Sequence, residues 1–373
     1  MALALATGCA SSERFGPRAD DSSRPGAPSS IQERADAFAI DHDAFAALGY
    51  RIDWRGFPAV APGERVRFMN LFGDTLLVQE SGSTVTAMDP DTGEVRWANQ
   101  LAGPLTLFVG NSRILDRFYI SGEPELYVLD VDTGTLLDRQ SYEKVVATNP
   151  IIAGRVLIYG TPSGEILAHL TANSIKYWGF DGRGAIEHSP VRIDRAIGAV
   201  TRSGDVLFVN AENGSLIGRG EIFRGPGAEP VAGAGLMLVP SLDRSLYAFS
   251  PEGAELRWRY RTDTPLRTQP TVHDDTVYIA VESEGLVALD AVTGEPRWRS
   301  PDVLGVVIAH RAGRLVVWDA DTREAATLDP ESGEVLSRAT LDGVQSIHAE
   351  PFLDGPLWVV SDGGVIARFR PRF

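Results

Sequence analysis

The chain says nearly the same thing every forty residues. "TVTAMDPDTGEVRW" stands at 84–97 and "LVALDAVTGEPRW" at 286–298. Between and beyond them the turn recurs as "DVDTGT" from Asp130, "NAENGS" from Asn210 and "DPESGE" from Asp329, with weaker copies "LTANSI" from Leu170 and "SPEGAE" from Ser250. The seven starts (89, 130, 170, 210, 250, 290, 329) lie 39 to 41 residues apart. Two further markers keep the same beat. Pro150, Pro190, Pro230 and Pro270 are 40 apart, Pro351 follows 81 later, and His310 fills the slot between. Trp97, Trp178, Trp258 and Trp298 are separated by 81, 80 and 40. A fixed period of this length is the mark of a repeat architecture in which each unit buries its apolar face only against its neighbours.

Each unit breaks β-branched and aromatic runs with Gly, Asp and Ser, the pattern of strands joined by tight turns. In the unit ending near Ser300, "QPTVH" leads in, and "TVYIAV", "LVALD" and "EPRWRS" read as three further strands separated by "ESEG" and "AVTG". Four strands in about forty residues is the size of one propeller blade. The turn Asp caps backbone amides, the Gly takes the positive φ of the turn exit, and the Trp offers a large apolar face to the next blade. Seven turns and a last partial unit, "EPFLDGPLWVVSDGGVIARF", make eight blades, with a seven-bladed ring carrying one irregular blade as the alternative. The last unit stops after its third strand. "YRIDWRGFP" at 50–58 resembles the missing fourth, so the expectation is an all-β, eight-bladed propeller of four-stranded antiparallel blades over 50–373, closed by that segment pairing near 365–370. Closure leaves no open sheet edges at the seam.

Ahead of the propeller, Ser30 and Glu33 fit a capping box, and Ile31, Phe38 and Phe45 recur every seven residues before Gly49. The spacing predicts one amphipathic helix within 30–49. Residues 1–9 are small and apolar up to Gly8 and Cys9, the sole cysteine, and look like the tail of a bacterial lipoprotein signal, although short and without a basic n-region. That reading makes Cys9 a lipidation site and 10–29, rich in Ser, Pro, Asp and Arg, a flexible tether.

Asp and Glu number 50 against 35 Lys and Arg, a net charge of −15. Nucleic acid demands a basic footprint, and anionic lipid likewise, so neither is expected as an electrostatic partner. One cysteine permits no internal disulfide and no cysteine-based metal centre. The six histidines (42, 169, 188, 273, 310, 348) show no i, i+4 or His-x-His spacing, and His169 and His310 fall on repeat positions, as strand fillers would. "DPDTGE" is read as a hairpin turn rather than a Ca²⁺ loop, which needs six to eight oxygens. The arginines of "RWRYR" at 257–261 alternate onto one solvent-facing strand side. No nucleophile elbow or phosphate loop is present, so no catalytic, cofactor or metal residues are assigned.

The repeat text, an aliphatic strand running into Ala-Leu-Asp, a Thr-Gly turn and a Trp, resembles the pyrroloquinoline-quinone (PQQ) type of propeller repeat over about 50–373. With eight units, a short chain and a lipoprotein-like start it is similar to the outer-membrane barrel-assembly lipoproteins, the BamB family. That resemblance implies a monomeric, non-enzymatic scaffold at the periplasmic face of a bacterial membrane, the outer one, held by lipidated Cys9. Its loops would bind an envelope protein partner, a β-barrel assembly component. In the family a Leu-Arg pair before a blade's Pro contributes to partner binding, and Leu266-Arg267 before Pro270 is the loose match. The fold alone leaves two other functions open. One is a quinoprotein oxidoreductase binding PQQ and Ca²⁺, whose members carry adjacent cysteines and long insertions that this chain does not have. The other is a carbohydrate-binding propeller.

Overall fold

The computed structural model describes residues 31–372 apart from 62, 104–105, 173–174 and 351–353. Cys9, the tether over 10–29, Ser30 and Pro351 lie outside the described residues.

The repeat folds as eight four-stranded antiparallel sheets, each built from consecutive strands except the last. Blades 1 to 7 cover 66–100, 108–141, 151–181, 191–221, 231–261, 271–300 and 306–340. Blade 6 shows why the sequence reads as it does. Its second and third strands, Thr276–Val281 and Gly285–Asp290, are buried almost throughout, hence their unbroken apolar runs. Its outer strand, Pro296–Ser300, faces a neighbour on one side only and alternates, burying Trp298 and Ser300.

The eight principal apolar clusters each lie between two adjacent blades rather than inside one. Leu77, Val85 and Trp97 of blade 1 meet Phe108, Phe118 and Tyr127 of blade 2, and each later seam repeats the arrangement. Five seams use one lock. Trp54, Trp97, Trp178, Trp258 and Trp298 each lay an indole over the turn glycine of the next blade (Gly93, Gly134, Gly214, Gly294 and Gly333), where an added Cβ would collide with the ring. Four of the indole N–H groups also donate to a backbone carbonyl beside that turn, at Val131, Ala211, Ala291 and Pro330 (2.8–3.3 Å). The glycine is thus required twice, for the close approach and for its positive φ, +72° at Gly294. Gly294→Ala is expected to cost about 2–5 kcal/mol, a left-handed residue plus overpacking, read as a lowered midpoint in urea.

Three seams lack the tryptophan and fill the place differently. Between blades 2 and 3 the Gln140 amide donates to Thr171 O (2.7 Å), the carbonyl equivalent to those the indoles reach, and its Oε1 accepts from His169 Nε2 (2.9 Å). Between blades 4 and 5, Gly218 lets a short 3-10 turn, Glu252–Ala254, pack flat against the outer strand. Between blades 7 and 8 the N-terminal segment does the work.

That segment holds two helices, α1 (Ile31–Ala37) and α2 (His42–Ala47), where the spacing predicts one. The break comes at Asp41. Its backbone is extended, and its carboxylate accepts from Asp43 N (3.0 Å) and Ala44 N (2.9 Å), an N-cap that starts a new helix. The seven-residue stripe survives in part. Phe38, Phe45 and Leu48 are buried, while Ile31 is exposed. Phe45 stacks on Phe369 of blade 8 (3.7 Å between centroids), and Ser337 of blade 7 donates to Ala47 O (3.0 Å). Arg34 donates to Pro58 O (3.0 Å), Gly363 O (3.0 Å) and Gly364 O (2.6 Å).

Blade 8 closes as expected. Its first three strands come from 344–371, and its outer strand is Tyr50–Gly56, antiparallel to Ile366–Pro371 from Tyr50↔Pro371 to Gly56↔Ile366 with one bulge between Ile52 and Trp54.

A candidate docking face

Four-stranded meanders joined end to end put two kinds of link on opposite rims. The first-to-second and third-to-fourth turns share one rim. The second-to-third hairpins and the blade-to-blade connectors share the other. On the first rim the Asp-Gly turns satisfy themselves. Asp89 Oδ1 accepts from Asp91 N and Thr92 N (both 2.9 Å), and Asp290 repeats this with Val292 N (3.0 Å) and Thr293 N (2.9 Å). The guanidinium groups of Arg96 and Arg297, aided by those amides, hold the two carboxyls down to about 2. These aspartates are turn caps, as the sequence suggests. Among the described residues no three His, Cys, Asp or Glu side chains gather where they could hold a metal ion.

The connector rim carries a device not anticipated from the sequence. In blades 2 to 7 an acid near the start of the third strand pairs with a cation on the outer strand. The pairs are Glu125–Arg139, Glu165–Lys176 (2.6 Å), Asp205–Arg219 (2.5 Å), Asp243–Arg259 (3.2 Å), Glu284–Arg299 (2.7 Å) and Glu324–Arg338 (3.9 Å). The signal was available: Glu125/Arg139, Asp205/Arg219 and Glu324/Arg338 are each fourteen residues apart. With their cations exposed or partly exposed, such pairs are screened by water and add little to stability. Glu165 stands apart, its side chain buried and gripped by Lys144 as well (2.6 Å).

On this rim, where blades 4 to 6 adjoin, a cleft of about 550 Å³ opens. One wall is blade 5. Arg259 donates to Ser245 Oγ (2.9 Å) and Asp243 Oδ2 (3.2 Å) and lies over the Tyr247 ring (4.7 Å), whose hydroxyl donates to the same Asp243 oxygen. Arg259 of the "RWRYR" stretch is therefore committed to the cleft wall, whereas Arg257 is exposed and pairs with Glu255 on its own blade. Across the seam, Tyr260 donates to Glu284 Oε2 (2.6 Å), which also accepts from Arg299 Nε (2.7 Å). Burial, then the Glu284 hydrogen bond, pushes the Tyr260 phenol up to about 12, so it remains a neutral donor. In the wall, Asp243 Oδ1 is buried with no hydrogen-bond partner among the described residues. At the lip stands Phe223, 84% exposed, flanked by Ile222 at 1%.

The predicted pair divides. Leu266 is buried in the blade 5–6 seam with Trp258 and Tyr260, and its amide donates to Ser241 O (3.2 Å). Arg267 is exposed on the connector rim beyond it.

These features define the class: an eight-bladed propeller of PQQ-type repeats whose connector rim bears an open, charged cleft. The chain belongs to the family described as outer membrane protein assembly factor BamB, whose model matches residues 51–178 and 202–368. It is 25% identical over 340 residues to the BamB of Burkholderia pseudomallei (strain K96243), covering 84% of this chain and 87% of that protein. The crystal structure of BamB from Moraxella catarrhalis superposes with a TM-score of 0.65 at 18% identity, over 82% of this chain and 95% of that one. The computationally designed Ika8 protein superposes with a TM-score of 0.69 at 12% identity, over 85% and 98%. The last two likenesses are of fold alone.

Proposed function

We propose that the chain is a non-catalytic, monomeric scaffold that docks a β-barrel assembly component of the bacterial envelope through its connector rim. In this reading a lipid on Cys9 tethers it to the periplasmic face of the outer membrane. Membership of the BamB family supports the process. The observation that carries the docking side is the connector-rim cleft with exposed Phe223 at its lip and Arg267 on the adjoining connector. The turn rim also holds a cleft, about 450 Å³ where blades 8 and 1 adjoin, but its aspartates are paired, Asp89 with Arg96, Asp74 with Arg113 and Asp91 with Arg368. Loops held on a rigid closed ring present a broad surface at little entropic cost. Leu266 then acts as the buried seat that aims Arg267.

The test is co-purification of the full chain from the envelope of its own bacterium. Recovery of a barrel-assembly component is the expected result, and its consistent absence overturns the reading. The mass of the native N-terminus tests the anchor: a diacylglycerol on Cys9 is expected.

A further inference from the structure

We infer that the cleft bordered by blades 4 to 6 receives an apolar recess rimmed by carboxylates on the partner protein, with Phe223 as the residue that fills the recess. This rests on the docking reading above and adds the chemistry of the complement.

The first ground is how Phe223 is presented. The backbone on either side of it is pinned. The Ile222 amide donates to Gly204 O (2.8 Å), the Leu242 amide to Gly225 O (3.1 Å), and the Gly227 amide to Pro240 O (2.8 Å). A large ring held in solvent on fixed backbone loses little freedom on binding and gains the full burial, the profile of an interface anchor. Val95, Leu136, Leu216, Leu256 and Leu336 sit near the start of outer strands, each about half covered, and Leu115 (78%) and Val292 (66%) stand in turns of the opposite rim, so among the strongly exposed apolar side chains of the described residues Phe223 is the one that adjoins the cleft.

The second ground is which charges are already spoken for. Asp243 is held by Arg259 and Tyr247, and Glu284 by Arg299 and Tyr260. Arg244 and Arg261 line the same cleft with no ion pair among the described residues, against one carboxylate, Asp263, that is likewise unpaired there. Arg224, beside Phe223, and Arg267 on the next connector add two further exposed guanidinium groups. The net charge of −15 does not oppose an acidic partner at contact range, because distant surface charges are screened beyond about 8–10 Å in physiological salt.

The experiment titrates the full chain with the purified periplasmic domains of the cognate barrel-assembly component, at low and at high salt. Wild type should bind, more weakly as salt rises. Phe223→Ala should weaken binding at least ~10-fold. The double variant Arg244→Glu/Arg261→Glu should weaken it similarly and reverse the salt dependence. Arg155→Glu, on the opposite rim, should bind as wild type, and all variants should keep the wild-type melting temperature because the altered side chains are exposed. Wild-type affinity in either cleft variant overturns this inference and leaves the docking reading intact. No binding by wild type overturns the docking reading, and the inference with it.

Discussion

A chain lacking residues 50–56 is expected to show no cooperative thermal transition and to aggregate on expression. The deletion removes six register pairs between Tyr50–Gly56 and Ile366–Pro371. It opens two apolar clusters at once, one containing Tyr50 and Phe369, the other packed against Trp54. It also turns Ile366–Pro371 into an unpaired edge, the kind of strand that recruits other chains. Phe45→Ala is the graded companion. It removes a buried ring stacked on Phe369 and should cost about 3–5 kcal/mol while leaving a cooperative transition. Differential scanning calorimetry separates the two outcomes. A sharp transition for the deletion variant near the wild-type midpoint would show that the ring does not depend on its fourth closing strand.

The second large effect is acid destabilisation through His169. Its ring is 1% exposed, and burial holds its pKa down to about 4, against about 6.5 in an unfolded chain. The Gln140 amide nitrogen is committed to Asp138 Oδ2 (2.8 Å) and Thr171 O (2.7 Å), so its oxygen faces His169 and accepts the Nε2 proton of the neutral ring. The unfolded chain takes up a proton first as pH falls. The stabilisation from keeping this ring neutral is therefore complete above about pH 6.5 and is lost between there and about pH 4. A shift of that size is worth about 3 kcal/mol. His348, also pushed down to about 4 by burial, shares the window. His169→Phe should lose stability at all pH values, having orphaned Gln140 Oε1, but should lose only about half as much on acidification. Urea midpoints at pH 7 and pH 4 for both proteins give the comparison. An unchanged acid loss would mean that His169 does not carry it.

The wheel was legible because its construction must recur. Every blade needs a tight turn and something to cover the next blade's turn, so Asp, Gly and Trp come back at fixed intervals. The closing strand was legible for the same reason, since Trp54 stands where the outer-strand tryptophans stand and covers Gly93 as they cover their glycines. What escaped depends on local competition or on distance. Ile31, Phe38 and Phe45 suit one continuous helix, but the Asp41 carboxylate captures two amides and restarts it. Leu266, between Pro265 and Arg267, was matched to the family's pair by text alone; its connector folds back onto Ser241 and buries it. The cleft was not legible at all. It arises from connectors and hairpins of three blades, and no single stretch of chain describes it.

The seam of blade 8 also sets a timetable. Asp53 and Arg368, joined across it at 3.2 Å, are 315 residues apart in the chain. Tyr50–Gly56 is made before its strand partner, Ile366–Pro371, more than 300 residues further along. Until that strand is made its pairing edge is an unpaired hydrogen-bonding ribbon, and a contact so remote in sequence is slow to form. A cell making this protein must keep that ribbon solitary until Ile366–Pro371 arrives, so helpers that bind extended segments should matter more to its yield than to its finished stability.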